Sequence, residues 1–106
     1  MLKLFVFAPD NEKIIKDIIN AGALAGAGVI GDYTHCAFVN KGKGSWWAQK
    51  DANPTTGGKD KMEYVDHVKI EMICPEKDAK LVEKAIRKVH PYEKVGIDFI
   101  KLESVN

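Results

Sequence analysis

Cysteine is scarce in this chain of 106 residues. Only Cys36 and Cys74 occur, and no CxxC pair is present. Two isolated cysteines build neither a disulfide framework nor a structural zinc site, so both are expected as reduced thiols, as in a cytoplasmic protein. An excess of charge of one sign is also lacking. The 16 Lys and Arg residues stand against 15 Asp and Glu, a formal charge of +1. Such a balance gives no global attraction to nucleic acid or to an anionic membrane, and neither is expected as a partner. No apolar run approaches the length of a bilayer span. The opening segment Met1-Leu2-Lys3-Leu4-Phe5-Val6-Phe7-Ala8-Pro9 has no basic leader and alternates too much for a secretory signal. Spacing alone assembles no Ser-His-Asp set, no paired catalytic carboxylates and no activated cysteine, so enzymatic activity is not expected.

What the chain does contain is globular in composition, with 45% hydrophobic and 29% charged residues. Its length suits one domain over residues 1–106, built on one two-layer core. Leu2, Leu4 and Val6 alternate with Lys3, Phe5 and Phe7, which reads as a first strand apolar on both faces. Pro9 and Asp10 stop it, and Asp10 is a candidate N-cap. Ile14, Ile15, Ile18 and Ile19 then form one helical stripe. Gly22 and the small residues Ala23 to Gly28 end that helix. Val29 to Val39 reads as a second strand, with Thr34, Cys36 and Phe38 on one face and Tyr33, His35 and Ala37 on the other. Residues 40–63 carry loop chemistry in Lys41-Gly42-Lys43-Gly44, Asn53-Pro54 and Gly57-Gly58. So long an excursion points to a functional loop or a short extra hairpin.

Val65 to Ile73 alternates as a third strand. Pro75-Glu76 opens a second helix with the stripe Val82, Ala85, Ile86 and Val89, and Pro91 ends it. Val95, Ile97 and Phe99 alternate in a last strand. The order β-α-β-β-α-β predicts an α+β ferredoxin-like sandwich: a four-stranded antiparallel sheet with two helices on one face. Apolar residues on both faces of the strands predict a partner over the open face, and symmetric self-association is the commonest way to supply one.

The segment Ala25-Gly26-Ala27-Gly28-Val29-Ile30-Gly31-Asp32-Tyr33-Thr34-His35-Cys36-Ala37-Phe38 resembles the domain inserted in YqfO-type dinuclear-metal proteins. Further matches follow in order: Gly42-Lys43-Gly44 before Trp46, Asn53-Pro54 before Gly57-Gly58, Glu63, Glu71, His90-Pro91-Tyr92-Glu93 and Asp98. The likeness covers nearly the whole chain, which is read as a stand-alone version of that domain. It departs from the pattern at Trp46-Trp47 and Thr55-Thr56. The resemblance implies a CutA-like, P-II-like fold and a homotrimer formed through the sheets. In that family the dinuclear metal site lies in flanking domains, to which nothing in these 106 residues corresponds. The resemblance therefore transfers no hydrolase activity.

Four groups of residues are candidates for chemistry. His90-Pro91-Tyr92-Glu93 gathers an imidazole, a phenol and a carboxylate that could hold a metal or a polar ligand. Its structural reading is a helix end, with His90 favouring the dipole and the Tyr92 hydroxyl bonded to backbone. His67 and Glu71 share a strand face but sit about 13 Å apart at strand rise, so they cannot chelate one ion unaided. Lys69 between them is the expected partner of Glu71. His35 and Cys36 point to opposite faces and are not a natural chelating pair. Gly26-Ala27-Gly28 has the wrong order for a dinucleotide fingerprint, and Lys41-Gly42-Lys43-Gly44 lacks the ending of a phosphate loop. Trp46 and Trp47 want cover, with a neighbouring subunit as the first choice.

The leading expectation is a non-enzymatic, trimeric module that senses a small ligand or engages a protein, with Tyr33, Trp46, His90, Tyr92 and Glu93 as ligand contacts. The alternative is a CutA-like protein that binds a divalent metal ion through some of His35, Cys36, His67, Glu71, His90 and Glu93. A hydrolase-like enzyme ranks last.

Overall fold

A computed structural model describes residues 1–55 and 57–105; Thr56 and Asn106 lie outside the described residues. The elements follow the expected order: β1 (Leu2–Pro9), α1 (Glu12–Leu24), β2 (Phe38–Trp47), β3 (Met62–Cys74), a 3-10 turn (Glu76–Asp78), α2 (Ala79–Val89) and β4 (Ile97–Lys101). The strands lie in the order β2-β3-β1-β4, and every neighbouring pair is antiparallel. This is the split β-α-β arrangement of a ferredoxin-like sheet.

Alternation decides which face each residue serves. In the central pair, Leu2, Leu4, Val6 and Ala8 stand opposite Cys74, Met72, Ile70 and Val68. All eight are buried, and they pack with Ile18, Val82 and Ile86 of the two helices. The other parity, Phe5, Phe7, His67, Lys69 and Glu71, falls on the face without helices. Phe7, Phe38 and Ile100 are exposed there.

Three boundaries differ from the sequence reading. The N-cap of α1 is Asn11 rather than Asp10: its Oδ1 accepts the N–H of Ile14 at 3.0 Å. Residues 29–37 are not a strand. Ile30 and Tyr33 exchange backbone hydrogen bonds of 2.9 Å around a tight turn, with Gly31 at φ 58° and His35 at φ 60°. Those left-handed conformations cannot continue an extended ladder. Conversely, the expected loop from 40 is strand as far as Trp47 and strand again from Met62, so the true connection is 48–61. β2 and β3 form a long hairpin that runs past the end of β1. β3 alone spans about 43 Å at strand rise, close to the 49 Å length of the molecule.

Leu4, fully buried among these contacts, sets a test of the core. Leu4→Ala is expected to lower unfolding stability by about 2–5 kcal/mol. Leu81→Ala, on an exposed helix position, is expected to change it by less than about 0.5 kcal/mol. Urea denaturation of both variants checks the pair.

Candidate functional site

The site begins with an alternation on β2. In Lys41-Gly42-Lys43-Gly44 both glycines pair with open-face residues of β3, Gly42 with His67 and Gly44 with Val65. Both lysines therefore point to the opposite face, where Lys43 pairs with Asp66 and Lys41 lies 3.7 Å from Asp10. Two successive open-face positions without side chains leave a hollow. A Cβ at Gly42 would meet nothing within 4 Å, whereas one at Gly44 would lie 2.8 Å from His67 Nδ1. The imidazole thus lies against the backbone of Gly44, and only glycine permits that approach.

Aromatic residues close round the hollow. Trp46, the next open-face residue of β2, meets His67 edge to face at 5.5 Å between ring centroids and lies 5.9 Å from Tyr92. The Tyr92 hydroxyl and His67 Nε2 share a hydrogen bond of 2.8 Å. Together with Phe7, Lys69, Lys94 and Gly96 these residues line a half-open cleft of about 800 Å³ between the hairpin arms and the segment that follows α2.

His90 holds that segment in place. Its Nε2–H donates to the Phe7 carbonyl at 2.8 Å, and its Nδ1 accepts the Tyr92 N–H at 3.1 Å. Both bonds together require the neutral ring. Burial is the main reason its pKa lies below the ordinary value of 6.5, with His67 and Arg87 adding to the effect and the Phe7 bond opposing it. His90 is therefore a neutral clamp rather than a cation serving the helix dipole. Burial also raises the Tyr92 pKa, and its hydroxyl is bonded to His67 rather than to backbone.

The hairpin connection is tied to the same segment. Asn53 N–H donates to Glu93 Oε2 at 3.0 Å, and the Thr55 hydroxyl donates to the Pro91 carbonyl at 2.9 Å. One polar atom is left over. His67 Nδ1 is buried and has no partner among the described residues, and the residue is only 7% exposed.

Of the expected ligand contacts, Trp46, Tyr92 and Glu93 line the cleft and His90 sits behind Tyr92. Tyr33 does not join them: it is exposed in the 30–33 turn. Trp47 points away from Trp46, as adjacent strand residues must, and is 59% exposed, while Trp46 is half-buried against His67 and Tyr92. The expected metal candidates scatter. His35 sits in a loop with its ring nitrogens on Thr34 and Asn20 at 3.0 and 3.1 Å. Cys36 is half-buried in that same loop. Glu71 lies 3.8 Å from Lys69, the partner expected for it. His90 has both nitrogens occupied. Among the described residues no three His, Cys, Asp or Glu side chains come together in a way that could hold a metal ion. This donor set does not fit a divalent cation. Gly42, Gly44, Phe7, Lys69 and Lys94 escaped the sequence reading as site residues. The signal for the glycines was the Lys-Gly alternation itself, which has the period of a strand and not of a mobile loop.

A β-α-β-β-α-β domain with this strand order and a long β2–β3 hairpin is a CutA-like ferredoxin fold. CutA1 from Pyrococcus horikoshii superposes with a TM-score of 0.67, over all of this chain and 87% of that one, at 20% identity, a likeness of fold. More specifically, the chain corresponds to a small domain of larger NIF3/YqfO-type proteins. It is 41% identical over 102 residues, 95% of its length, to a "GTP cyclohydrolase 1 type 2 homolog" of Listeria monocytogenes, of which it covers 27%. The crystal structure of a Bacillus cereus protein related to NIF3 matches with a TM-score of 0.82 at 34% identity, over 97% of this chain and 26% of that one. The chain thus spans about a quarter of the relatives it matches. No family model matches it. Among the described residues no helix is long and apolar enough to cross a membrane.

The His90 clamp makes stability depend on pH. A pKa held below its unfolded value contributes stability that is complete above about pH 6.5 and is lost as the pH falls through the folded pKa. The melting temperature is expected to fall on acidification from pH 7.5 to 5.5. In His90→Gln it is expected to be lower throughout and to change less over that interval. Thermal melts of the two proteins across this range check the difference.

Proposed function

We propose that this chain is a non-enzymatic, small-molecule-binding module that works as a symmetric homotrimer, with the His67–Tyr92–Trp46 cleft as its binding site. The observation that carries this reading is the cleft itself. It is a hollow of about 800 Å³, made by glycines on a strand, walled by aromatic rings and backed by the His67 imidazole, which is bonded to the Tyr92 hydroxyl. Small-molecule sites combine these elements: an apolar concavity and a few fixed polar groups.

Self-association is supported by the open sheet face. Phe7, Phe38 and Ile100 are 42%, 61% and 50% exposed there, beside Lys3, Lys69, Glu71 and Asp98 of both signs. A face that is apolar and carries interleaved charges suits a copy of itself. The two free thiols fit a cytoplasmic location. A divalent-cation role draws on names such as "Periplasmic divalent cation tolerance protein CutA", for a structure at 15% identity. That identity carries the fold and not a ligand set, and the dispersed donors give it no support. The activity named for the longer relatives belongs to proteins of which this segment is about a quarter.

Two measurements test the two halves of the proposal. Sedimentation velocity at tens of micromolar is expected to show three chains per particle, and Phe38→Asp with Ile100→Asp to give single chains; a monomeric wild type overturns the assembly. In a thermal-shift screen of small metabolites, at least one compound is expected to raise the melting temperature by several degrees. A flat panel, with unchanged protease sensitivity of the 48–61 connection, counts against the ligand site.

A further inference from the structure

We propose that the outer face of α2 is a docking surface for an acidic amphipathic helix of a partner protein. This surface is separate from the cleft. It lies on the helix side of the sheet, away from the open face, and is free whether or not the chain self-associates.

The position of the cations is the first observation. Lys80, Lys84 and Lys88 recur at every fourth residue of α2 and form one ridge, at intervals of about 6 Å. All three are exposed, as are Lys77 and Arg87 beside them. On α1 and β2 every lysine has a carboxylate: Lys13 pairs with Asp17, Lys16 with Glu12, Lys41 with Asp10 and Lys43 with Asp66. Among the described residues none pairs with Lys80, Lys84 or Lys88, and Glu83 on the same helix is taken by Arg87 at 2.9 Å. Like charges four residues apart weaken a helix. The first turn of α2 has no acidic residue, and Lys80 stands there against the helix dipole. Only Arg87 and Lys88, in the last turn, serve that dipole. Helix stability therefore does not account for the ridge, whereas complementarity to an anionic partner does.

A leucine names the kind of partner. Leu81 lies on the flank of the ridge, one turn from Lys84, and is 61% exposed, so the lysine stems do not cover it. An apolar contact with opposite charges beside it is how two helices pack along a seam. Acidic side chains at every fourth position of a partner helix have the same pitch as the lysines. Lys80, Glu83, Lys84, Arg87 and Lys88 border a shallow hollow that would receive them. The phosphates of a nucleic acid gain nothing from Leu81. A membrane surface requires a wide apolar face, and α2 turns Val82 and Ile86 into the core.

Four probes separate the possibilities. They are a helical peptide of about 20 residues with a leucine seam flanked by glutamates, the same peptide with every Glu replaced by Gln, a DNA duplex of equal length, and phosphatidylserine vesicles. Each is titrated with the full chain at physiological salt, and amide NMR shifts locate the contact. The acidic peptide is expected to bind saturably with shifts centred on residues 77–89, about tenfold more tightly than its Gln counterpart. Lys80→Glu with Lys84→Glu is expected to weaken it by about tenfold or more, and Leu81→Ser by roughly threefold, both at unchanged melting temperature. Lys80→Gln with Lys84→Gln, which removes charge without reversing it, is expected to fall between wild type and the Glu pair. Tighter binding of the duplex or the vesicles than of the acidic peptide overturns the partner class. Peptide binding unaltered by Leu81→Ser overturns the helical seat, and shifts centred away from α2 overturn the location. No saturable binding of the acidic peptide at millimolar concentration overturns the docking surface itself.

Discussion

The two-residue period of the central strand pair governs the rest of this structure. Leu4 with Met72 and Val6 with Ile70 must be dry, and the helices can cover only one face of the sheet. Once those four side chains are committed to the helix side, Phe5, Phe7, His67, Lys69 and Glu71 have no choice but the other side. A shift of one residue would exchange the two sets and put the lysine and glutamate into the core, at a cost far above the stability of a domain this size. The open face and its cleft are therefore consequences of the core.

The same parity continues along the hairpin beyond the reach of the helices. There it places Gly42, Gly44 and Trp46 on the cleft side and turns Lys41 and Lys43 away. The cleft would still lack its second wall without His90. Its neutral ring ties the segment after α2 to the Phe7 carbonyl at the end of β1 and fixes the Tyr92 backbone. Tyr92 in turn orients His67. Hairpin, first strand and helix end are thereby joined through three side chains, with the 48–61 connection fastened to the same segment by Asn53 and Thr55.

Likeness to CutA1 at 20% identity shows how little of the sequence the fold requires. Alternation in four strands and stripes on two helices suffice, and side chains on the open face are free to differ. The closer likeness to NIF3-related proteins, at 34–41% identity, extends over most of this chain and thus into the loops and the segment after α2 that build the cleft. The chain corresponds to only about a quarter of those proteins, so what this segment does is to be sought in its own groups.

The sequence alone determined the order of the elements, the helix stripes through Ile18, Val82 and Ile86, and the ferredoxin-like arrangement, because burial periodicity is written along the chain. It also drew attention to Trp46, His90, Tyr92 and Glu93, through unusual residues gathered in short segments. It misplaced β2, since Gly42 and Gly44 carry loop propensity and their strand conformation comes from pairing with β3, a partner more than 20 residues away in the chain. It could not show that Tyr33 stands apart from the others, that the metal-type side chains scatter, or that the His67 ring rests on Gly44. Those facts depend on which strands become neighbours and how far the hairpin outruns the helices, and only the tertiary structure decides distances between residues so far apart in sequence.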